Sequence, residues 1–367
     1  MRKVSIYELT PGMRIGIDIY NTQNQLLVPK NTLLTDEVIQ RIQGYSIPYM
    51  KISVLDEETE NEYPDAVNSI TEADPSLSYN DRLKTTRSFQ KFKDDFLKNA
   101  AVIESSFNDM VTKNMPVDTN SLLEKTESVV SQANGFSIFD MLQNMREYDD
   151  STYVHCLNVA LICNVMAKWL NFSKKDTDTL VLAGMLHDVG KLAIPDSIIK
   201  KPGKLTKEEY EIIKSHPRKG FDILAKQKLP KAVKLTALLH HERCDGSGYP
   251  YGFTYEKIDR FARLISIADV YDAMTADRVY RDALSPFTVV DIFQKEGLQK
   301  YAPEYILVFL EHIVDTYVNN KVLLSDGRTG EIVLINKQHL SRPLVRLDDN
   351  DFLDLTAYKE IMIDKIL

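Results

Sequence analysis

The sequence predicts a mainly α fold in which a helical central part is flanked by small β-rich modules at both ends. Three patterns lead to this prediction. From Phe89 onward, apolar residues recur at intervals of three and four, the period of an amphipathic helix. Across residues 13–19 they alternate strictly with polar ones, the period of a half-buried strand. Near the C-terminus, Asp326-Gly327 separates two apolar runs, which is typical of a β-hairpin.

The first part of the chain, residues 1–55, is predicted to be the β-rich N-terminal module. Besides 13–19, residues 25–28 and 47–52 have the composition of strands, and Thr35 can cap a short helix that runs to Arg41. Residues 53–81 then hold nine Asp or Glu and no Lys or Arg. Because such a segment can bury little apolar surface, we expect a solvated linker over 56–81.

Two helical regions follow this linker. In the first, 82–135, Phe89, Phe92 and Phe96 share one helix face, so this connector could form a stalk, mediate dimerisation or brace the next domain. The second, 136–319, is helix-rich with short connections and forms the central domain.

Local signals place several boundaries within and after the central domain. Thr206 and Glu209 have the spacing of a capping box for a helix that we expect to end at His216-Pro217. We expect Gly190 to follow the end of a helix running from about Asp176 to Asp188. Residues 320–367 form the C-terminal module, with strands predicted at 322–324, 331–335 and 343–347.

Composition excludes several classes of protein. The chain has 367 residues, 44% of them hydrophobic and 27% charged, which is typical of a globular protein. No run of 18 apolar residues and no signal-peptide core occurs in the sequence, so we expect a cytoplasmic protein without a membrane span. A net charge of -8 argues against duplex nucleic acid as a partner. The three cysteines show no CxxC spacing, which disfavours disulfides and a thiolate zinc site.

Histidine placement is the most informative feature, because five of the seven histidines fall between residues 154 and 241. Taken alone, His155 lies on an apolar helix and is more readily interpreted as a core histidine than as a ligand. The doublet His187-Asp188 differs, because it ends an apolar helix, where a carboxylate is costly to bury unless it is paired or bound to a cation. The same reasoning applies to Asp269, which lies in the apolar run 265–270.

Together these residues suggest a metal centre. The candidate ligands are five imidazoles and two carboxylates, with no thiolate: His155, His187, Asp188, His216, His240, His241 and Asp269. This mixture suits Fe, Mn, Zn or Ni better than an all-oxygen magnesium site. Seven ligands exceed the needs of one ion, so we expect two divalent ions that share a bridging carboxylate and a bridging hydroxide, as in enzymes of phosphoryl transfer.

Two motifs identify a family resemblance. His187-Asp188-Val189-Gly190-Lys191 and His240-His241-Glu242-Arg243-Cys244-Asp245-Gly246-Ser247-Gly248-Tyr249-Pro250 resemble the signature of the HD-GYP family, the cyclic di-GMP phosphodiesterases of the HD superfamily. The resemblance covers about 136–319. It implies an all-helical HD-type catalytic domain with two or sometimes three metals, most often iron or manganese. The implied reaction is hydrolysis of cyclic di-GMP, a bacterial second messenger, to pGpG or onward to GMP.

The resemblance also implies a role for each matching residue. His155, His187, Asp188, His216, His240, His241 and Asp269 match the family's metal ligands, with Asp188 as the bridge. Lys191 matches a lysine that contacts the substrate phosphate and supports catalysis, and Arg278 and Arg281 match a pair of phosphate-binding arginines. Members with three metals have a glutamate four residues before the first histidine, where this chain has Ser151. A third ion is therefore not expected.

Other interpretations remain open at this level. Lys191, Arg278 and Arg281 are also compatible with ordinary surface charge. The chain could be an HD phosphohydrolase that acts on another nucleotide, or a weakly active or inactive receptor of a cyclic dinucleotide. Cyclic di-GMP is the expected ligand. Protein partners could bind the Gly248-Tyr249-Pro250 loop or the terminal modules, and a homodimer is compatible with the helical connector.

Overall fold

The computed structural model describes residues 79–133, 137–145, 151–201, 203–276, 283–349 and 351–367, together with 2–5, 13–15, 19–20, 26–28, 32, 34, 38–39 and 49–53. The chain divides into two compact units, Met1–Val67 and Asn68–Leu367. Most of the predicted linker 56–81, and most of the short helix predicted from Thr35 to Arg41, lie outside the described residues.

The N-terminal unit contains short antiparallel strands. They are β1 (Arg2–Ser5), β2 (Arg14–Ile15), β3 (Ile19–Tyr20), β4 (Leu26–Val28) and β5 (Tyr49–Ser53). One sheet has the order β1-β5-β2, and β3 pairs with β4. Alternation predicts one strand over 13–19, where the structure has β2 and the start of β3 in different sheets. Strands β4 and β5 overlap the predicted segments 25–28 and 47–52. Strand β1 is not predicted from the sequence, because Arg2–Ser5 has a single apolar residue and therefore shows no alternation.

The second unit is mainly helical. Its helices are α1 (Tyr79–Thr85), α2 (Arg87–Lys113), α3 (Thr119–Gln132), α4 (Ile138–Met145), α5 (Thr152–Trp169), α6 (Lys174–Leu186), α7 (Asp196–Ile199), α8 (Lys207–Ile213), α9 (His216–Ala225), α10 (Lys231–Leu239), α11 (Arg260–Thr275), α12 (Pro286–Ile292), α13 (Leu298–Lys300) and α14 (Pro303–Asp315). Segments of 3-10 helix lie at Val189–Ala193 and Tyr255–Lys257, and a π-helical segment lies at Phe293–Gly297.

The helical connector is part of the main hydrophobic core. Thr86 caps α2 by accepting a hydrogen bond from the amide of Phe89, and Phe89, Phe92 and Phe96 are fully buried. They belong to the same apolar cluster as the buried residues of α5, α6 and α11. Of the three roles that the sequence left open for α2, the packing shows that it braces the neighbouring helices.

Two predicted helix ends are wrong. The capping box of Thr206 and Glu209 is confirmed, but its helix α8 ends at Ile213, and His216 begins the next helix, α9. The helix predicted to reach Asp188 ends at Leu186, and Gly190 lies inside the 3-10 segment that follows. At the second break, apolar residues continue on both sides of the turn, as Leu186 and Val189, so periodicity alone could not locate it. At the first, Pro217 lies in the first turn of α9, a position that proline tolerates.

The C-terminal residues form a five-stranded antiparallel sheet. Its strands are β6 (Lys321–Leu324), β7 (Thr329–Leu334), β8 (Leu344–Leu347), β9 (Phe352–Asp354) and β10 (Ile363–Ile366), in the order β10-β6-β7-β8-β9. The predicted hairpin is confirmed as β6 and β7, and the third predicted strand as β8. Charged residues interrupt β9 and β10, which hid these strands from the sequence analysis.

This sheet shares its core with the helices. Val322, Ile332 and Val345 are fully buried and belong to the apolar cluster that begins at Leu83. The hydroxyl of Ser285 donates a hydrogen bond to the carbonyl of Ile363 at 2.6 Å. Among the described helices, none combines the length and the apolar composition needed to cross a bilayer.

Candidate metal centre

Seven histidine and aspartate side chains converge in two neighbouring groups. The first group is Asp188, His216, His240 and His241, and the second is His155, His187 and Asp269. Within each group every residue offers one ligand atom, and these atoms lie within 4.8 Å of one another. These are the seven residues that the sequence singled out, so the fold brings the complete predicted set together.

Helix ends deliver four of these side chains. His187 caps the C-terminus of α6, and Asp188 follows it directly. His216 is the first residue of α9, and His240 caps the C-terminus of α10. The apolar faces of these helices are buried in the core, and this packing directs their ends to one point.

A close backbone approach at Gly190 keeps Asp188 beside His216. A Cβ atom at Gly190 would lie 2.0 Å from the carbonyl oxygen of His216 and 2.5 Å from the amide nitrogen of Gly220. These separations are far below van der Waals contact, so only glycine fits between the 3-10 segment and α9.

Asp188 lies between the two groups. Its Oδ1 atom is 3.1 Å from Nε2 of His216 and 3.6 Å from Nε2 of His240. Its Oδ2 atom is 3.5 Å from Nε2 of His187 and 3.6 Å from Nε2 of His155. Each carboxylate oxygen therefore faces a different group, which is the arrangement that a bridging ligand needs.

Lys191 supplies positive charge to this buried carboxylate. Its Nζ atom lies 2.5 Å from Oδ2 of Asp188. Burial would raise the pKa of Asp188, but Lys191 and the surrounding imidazoles hold this pKa well below its usual value. Neither oxygen of Asp188 makes a hydrogen bond of normal geometry, so the contact with Lys191 is one of charge and leaves lone pairs free.

Backbone carbonyls orient three of the imidazoles. Their Nδ1 atoms donate hydrogen bonds to oxygens of the preceding turn, from His187 to Gly184 at 2.6 Å, from His216 to Ile213 at 2.7 Å, and from His240 to Thr236 and Ala237 at 3.1 Å each. A carbonyl can only accept, so the proton is on Nδ1. In the neutral ring, Nε2 then presents its lone pair to the centre of the site.

Burial keeps most of these rings neutral. It lowers the pKa of His187 to about 4 and also lowers the pKa of His216. Burial, together with the neighbouring His240, holds the pKa of His241 well below its ordinary value. A metal ion needs neutral imidazoles, so the electrostatics of these positions suit a ligand.

His155 has a different environment, with a carboxylate on each side of its ring. Nδ1 lies 2.7 Å from Asp272 Oδ2, and Nε2 lies 3.1 Å from Asp269 Oδ1. Burial opposes protonation, but these hydrogen bonds raise the pKa of His155 to about 9. Burial alone would raise the pKa of Asp269, whereas the hydrogen bond from His155 and the nearby imidazoles hold it well below its usual value.

The residues present fit divalent metal ions. Nε2 of His187 and Oδ1 of Asp188 are buried and make no hydrogen bond within the described part of the chain, and such atoms are costly to bury without a partner. Nitrogen donors with two carboxylates suit a transition metal. His155, His187 and Asp269 could hold one ion, and His216, His240 and His241 a second, with Asp188 between them.

The residues predicted to contact substrate are only partly described. The side chain of Lys191 is 26% exposed, so it borders both the site and the solvent. Arg278 and Arg281 lie within 277–282, outside the described residues. Ser151 is the N-cap of α5 and accepts a hydrogen bond from the amide of Val154 at 3.3 Å. Its hydroxyl thus has a structural role at the helix start.

The loop after His241 is anchored by Glu242. This residue is buried, and its two carboxylate oxygens accept hydrogen bonds from the amides of Tyr251 and Phe253 at 2.8 and 2.9 Å. Tyr249 stacks on His241, with 4.6 Å between the ring centroids. The loop therefore closes one side of the metal centre with an aromatic ring.

Three residues that contact the candidate site or anchor its loop were not predicted from the sequence: Asn158, Glu242 and Asp272. Asp272 lies three residues after Asp269 on α11, and Asn158 three residues after His155 on α5. This i, i+3 spacing places each on the face of a predicted ligand, and it was the available signal. Glu242 had no signal, because a glutamate beside two histidines on a polar loop gives no indication of its burial.

Comparison with known proteins agrees with this geometry. The profile of the HD domain family matches residues 118–305. A cyclic di-GMP phosphodiesterase of Pseudomonas aeruginosa is 33% identical over 207 residues, covering 56% of this chain and 50% of the relative. One of Thermotoga maritima is 36% identical over 212 residues, covering 54% and 57%. A 3′3′-cGAMP-specific phosphodiesterase of Vibrio cholerae is 37% identical over 180 residues, covering 48% and 34%.

The matched segment spans about a third to just over half of each relative's own length. The family match covers more than half of this chain and includes every candidate ligand. With its two groups of histidine and aspartate ligands meeting at the His187-Asp188 doublet, the chain belongs to the HD domain family.

Proposed function

We propose that this chain is a metal-dependent phosphodiesterase that hydrolyses cyclic di-GMP to pGpG, GMP or both. The observation that carries the proposal is the meeting of seven ligand side chains in two groups, with the two oxygens of Asp188 directed to different groups. The relatives from Pseudomonas aeruginosa and Thermotoga maritima, named as cyclic di-GMP phosphodiesterases, support the choice of substrate.

We infer two divalent ions, with iron or manganese first and zinc or nickel as alternatives. When bound, such ions supply Lewis acidity that activates water and stabilises negative charge on a phosphate. Ser151 occupies the position where a third ion would need an acidic ligand, and its hydroxyl caps α5. A two-ion centre is therefore the proposed stoichiometry.

The protein's own residues then bind and orient the substrate. Lys191 is the proposed contact to a substrate phosphate, because its ammonium reaches the centre while part of its side chain meets solvent. Arg278 and Arg281 are proposed as further phosphate contacts on the basis of the family resemblance. A chain of net charge -8 needs such local positive charge to attract an anionic substrate. Asp188 and Lys191 are the proposed catalytic pair.

A second candidate substrate is 3′3′-cGAMP. One relative is named as specific for 3′3′-cGAMP, and this dinucleotide has the same phosphodiester ring with one different base. The ligand set serves either substrate, so base contacts alone would separate them. A receptor without turnover is the remaining alternative.

The domain limits 1–55, 56–81, 82–135, 136–319 and 320–367 stay predictions. We propose that the terminal modules and the Gly248-Tyr249-Pro250 loop contact protein partners, a second copy of the chain among them.

Turnover of both dinucleotides tests the proposal. Purified protein loaded with Mn²⁺ or, without oxygen, with Fe²⁺ is incubated with cyclic di-GMP or 3′3′-cGAMP, and linear products are separated by chromatography. We expect cleavage of cyclic di-GMP that stops on treatment with a chelator. Faster cleavage of 3′3′-cGAMP would favour the second substrate, and tight binding without product would favour the receptor.

Two variants separate metal binding from substrate binding. Asp188→Ala should lose both metal and turnover, because it removes the carboxylate that faces both groups. Lys191→Ala should keep the metal and lose turnover. Lys200→Ala is the matched control, since Lys200 is exposed and pairs only with Asp196 among the described residues. Full metal content in Asp188→Ala would contradict the bridging role.

A further inference from the structure

The imidazole of His155 is held differently from those of His187, His216 and His240. The Nδ1 atoms of His187, His216 and His240 donate to neutral backbone carbonyls. Nδ1 of His155 instead lies 2.7 Å from the carboxylate of Asp272. Asp272 is 1% exposed, so this hydrogen bond is shielded from water.

Asp272 is in turn fixed by a second side chain. Its Oδ1 atom accepts a hydrogen bond from the side-chain amide nitrogen (Nδ2) of Asn158 at 3.1 Å, while Oδ2 faces His155. Asn158 is also buried. His155 and Asn158 lie three residues apart on α5, and Asp269 and Asp272 lie three residues apart on α11. The two pairs link these helices through His155.

This link fixes the direction of the His155 ring. With Nδ1 committed to Asp272, Nε2 is turned toward Asp269, from which it lies 3.1 Å. Asp269 and His155 belong to the same candidate metal group. A carboxylate behind a ligating histidine fixes the tautomer and makes the ring a stronger donor, and its loss typically lowers metal affinity by about 10- to 100-fold.

We propose that Asp272, held by Asn158, is a positioning residue that tightens one metal position, the one formed by His155, His187 and Asp269. The inference rests on the proposed metal centre. It adds that the two metal positions differ in affinity. In the group of Asp188, His216, His240 and His241, the imidazoles of His216 and His240 rely on carbonyls, so loss of Asp272 leaves that group intact.

Metal titration of the full chain tests the asymmetry without any substrate. Metal-free protein is dialysed against increasing Mn²⁺, and bound metal is measured by mass spectrometry. We expect two ions in the unmodified protein. In Asp272→Ala, one ion should bind about 10- to 100-fold more weakly, while the other stays within about threefold. Asp272→Asn and Asn158→Ala should weaken the same ion to a smaller extent.

The matched control is Asp259→Asn, which makes the same charge change on the same helix. Asp259 caps α11 by accepting from the amide of Phe261, and asparagine caps equally well, so both ions should bind as in the unmodified protein. Thermal melting of the metal-free variants checks that each variant is still folded, so that weaker metal binding is not a consequence of a general loss of structure.

Three results would overturn the inference. Asp272→Ala could bind each ion with the same affinity as the unmodified protein, it could bind both ions more weakly by the same factor, or the unmodified protein could take up no Mn²⁺. The test is independent of turnover. An unmodified protein that binds two unequal ions but cleaves no dinucleotide would contradict the proposed function alone, whereas turnover with unchanged binding in Asp272→Ala would contradict this inference alone.

Discussion

Gly190→Ala should damage both the fold and the metal centre, because this position has no room for a methyl group. The added Cβ would lie 2.0 Å from the carbonyl oxygen of His216 and 2.9 Å from Cα of Gly220. Both contacts are with backbone atoms, so a side-chain rotation cannot relieve them.

The size of the effect follows from these distances. To reach a normal separation of about 3.5 Å, the 3-10 segment and α9 must move apart by roughly 1.5 Å. Overpacking of this kind costs about 1–3 kcal/mol, partly offset by the lower entropy of the unfolded chain. We expect a net loss of about 2 kcal/mol, or about 4 °C in Tm. Because His216 moves away from Asp188, turnover should fall about 100-fold.

Gly220→Ala is the matched control on the other side of the same contact. Its Cβ would lie 3.3 Å from the amide nitrogen of Gly190 and 3.6 Å from Cβ of Ala237, which requires small shifts only. Alanine also favours the helical state by about 1 kcal/mol, so the Tm of this variant should stay within about 2 °C of the unmodified protein. Scanning fluorimetry and metal analysis give the comparison. A Gly190→Ala protein with normal Tm and metal content would show that position 190 has room for a methyl group.

Three further predictions address the loop, the helix cap and the connector. In Glu242→Ala the loop amides at 251 and 253 lose a charged acceptor worth about 1.5–3 kcal/mol, so their hydrogen exchange should accelerate at least about tenfold; unchanged exchange contradicts the anchor. Ser151→Ala should cost about 1 kcal/mol of unfolding free energy, and Ser151→Asp, which keeps an acceptor, should not; equal stability of the two contradicts the cap. Phe92→Ala should cost about 3–5 kcal/mol, measured by urea unfolding, whereas exposed Leu307→Ala should cost less than about 0.5 kcal/mol; equal losses contradict bracing by α2.

Much of the fold could be predicted from the sequence, because the spacing of apolar residues along the chain indicates which face of a helix or strand is buried. The apolar run that ends β7 and the three- and four-residue spacing in α2 both mark elements with a buried face. Breaks between adjacent helices were not accessible. The turn between Ile213 and His216 joins two helices, and its position depends on contacts between α9 and Gly190 that lie far apart in sequence.

The set of candidate ligands could be proposed from the sequence. Buried carboxylates need a partner, and the doublets His187-Asp188 and His240-His241 suggested a metal as that partner. His155 and His216, which lie outside any doublet, joined the set through the family resemblance. The tertiary structure decided how the set is divided: which group each oxygen of Asp188 faces, and which imidazoles rest on carbonyls. It also decided that Asp272, and not a backbone group, lies behind His155. These are distances between side chains on different helices, and they are set by helix packing, which no local pattern records.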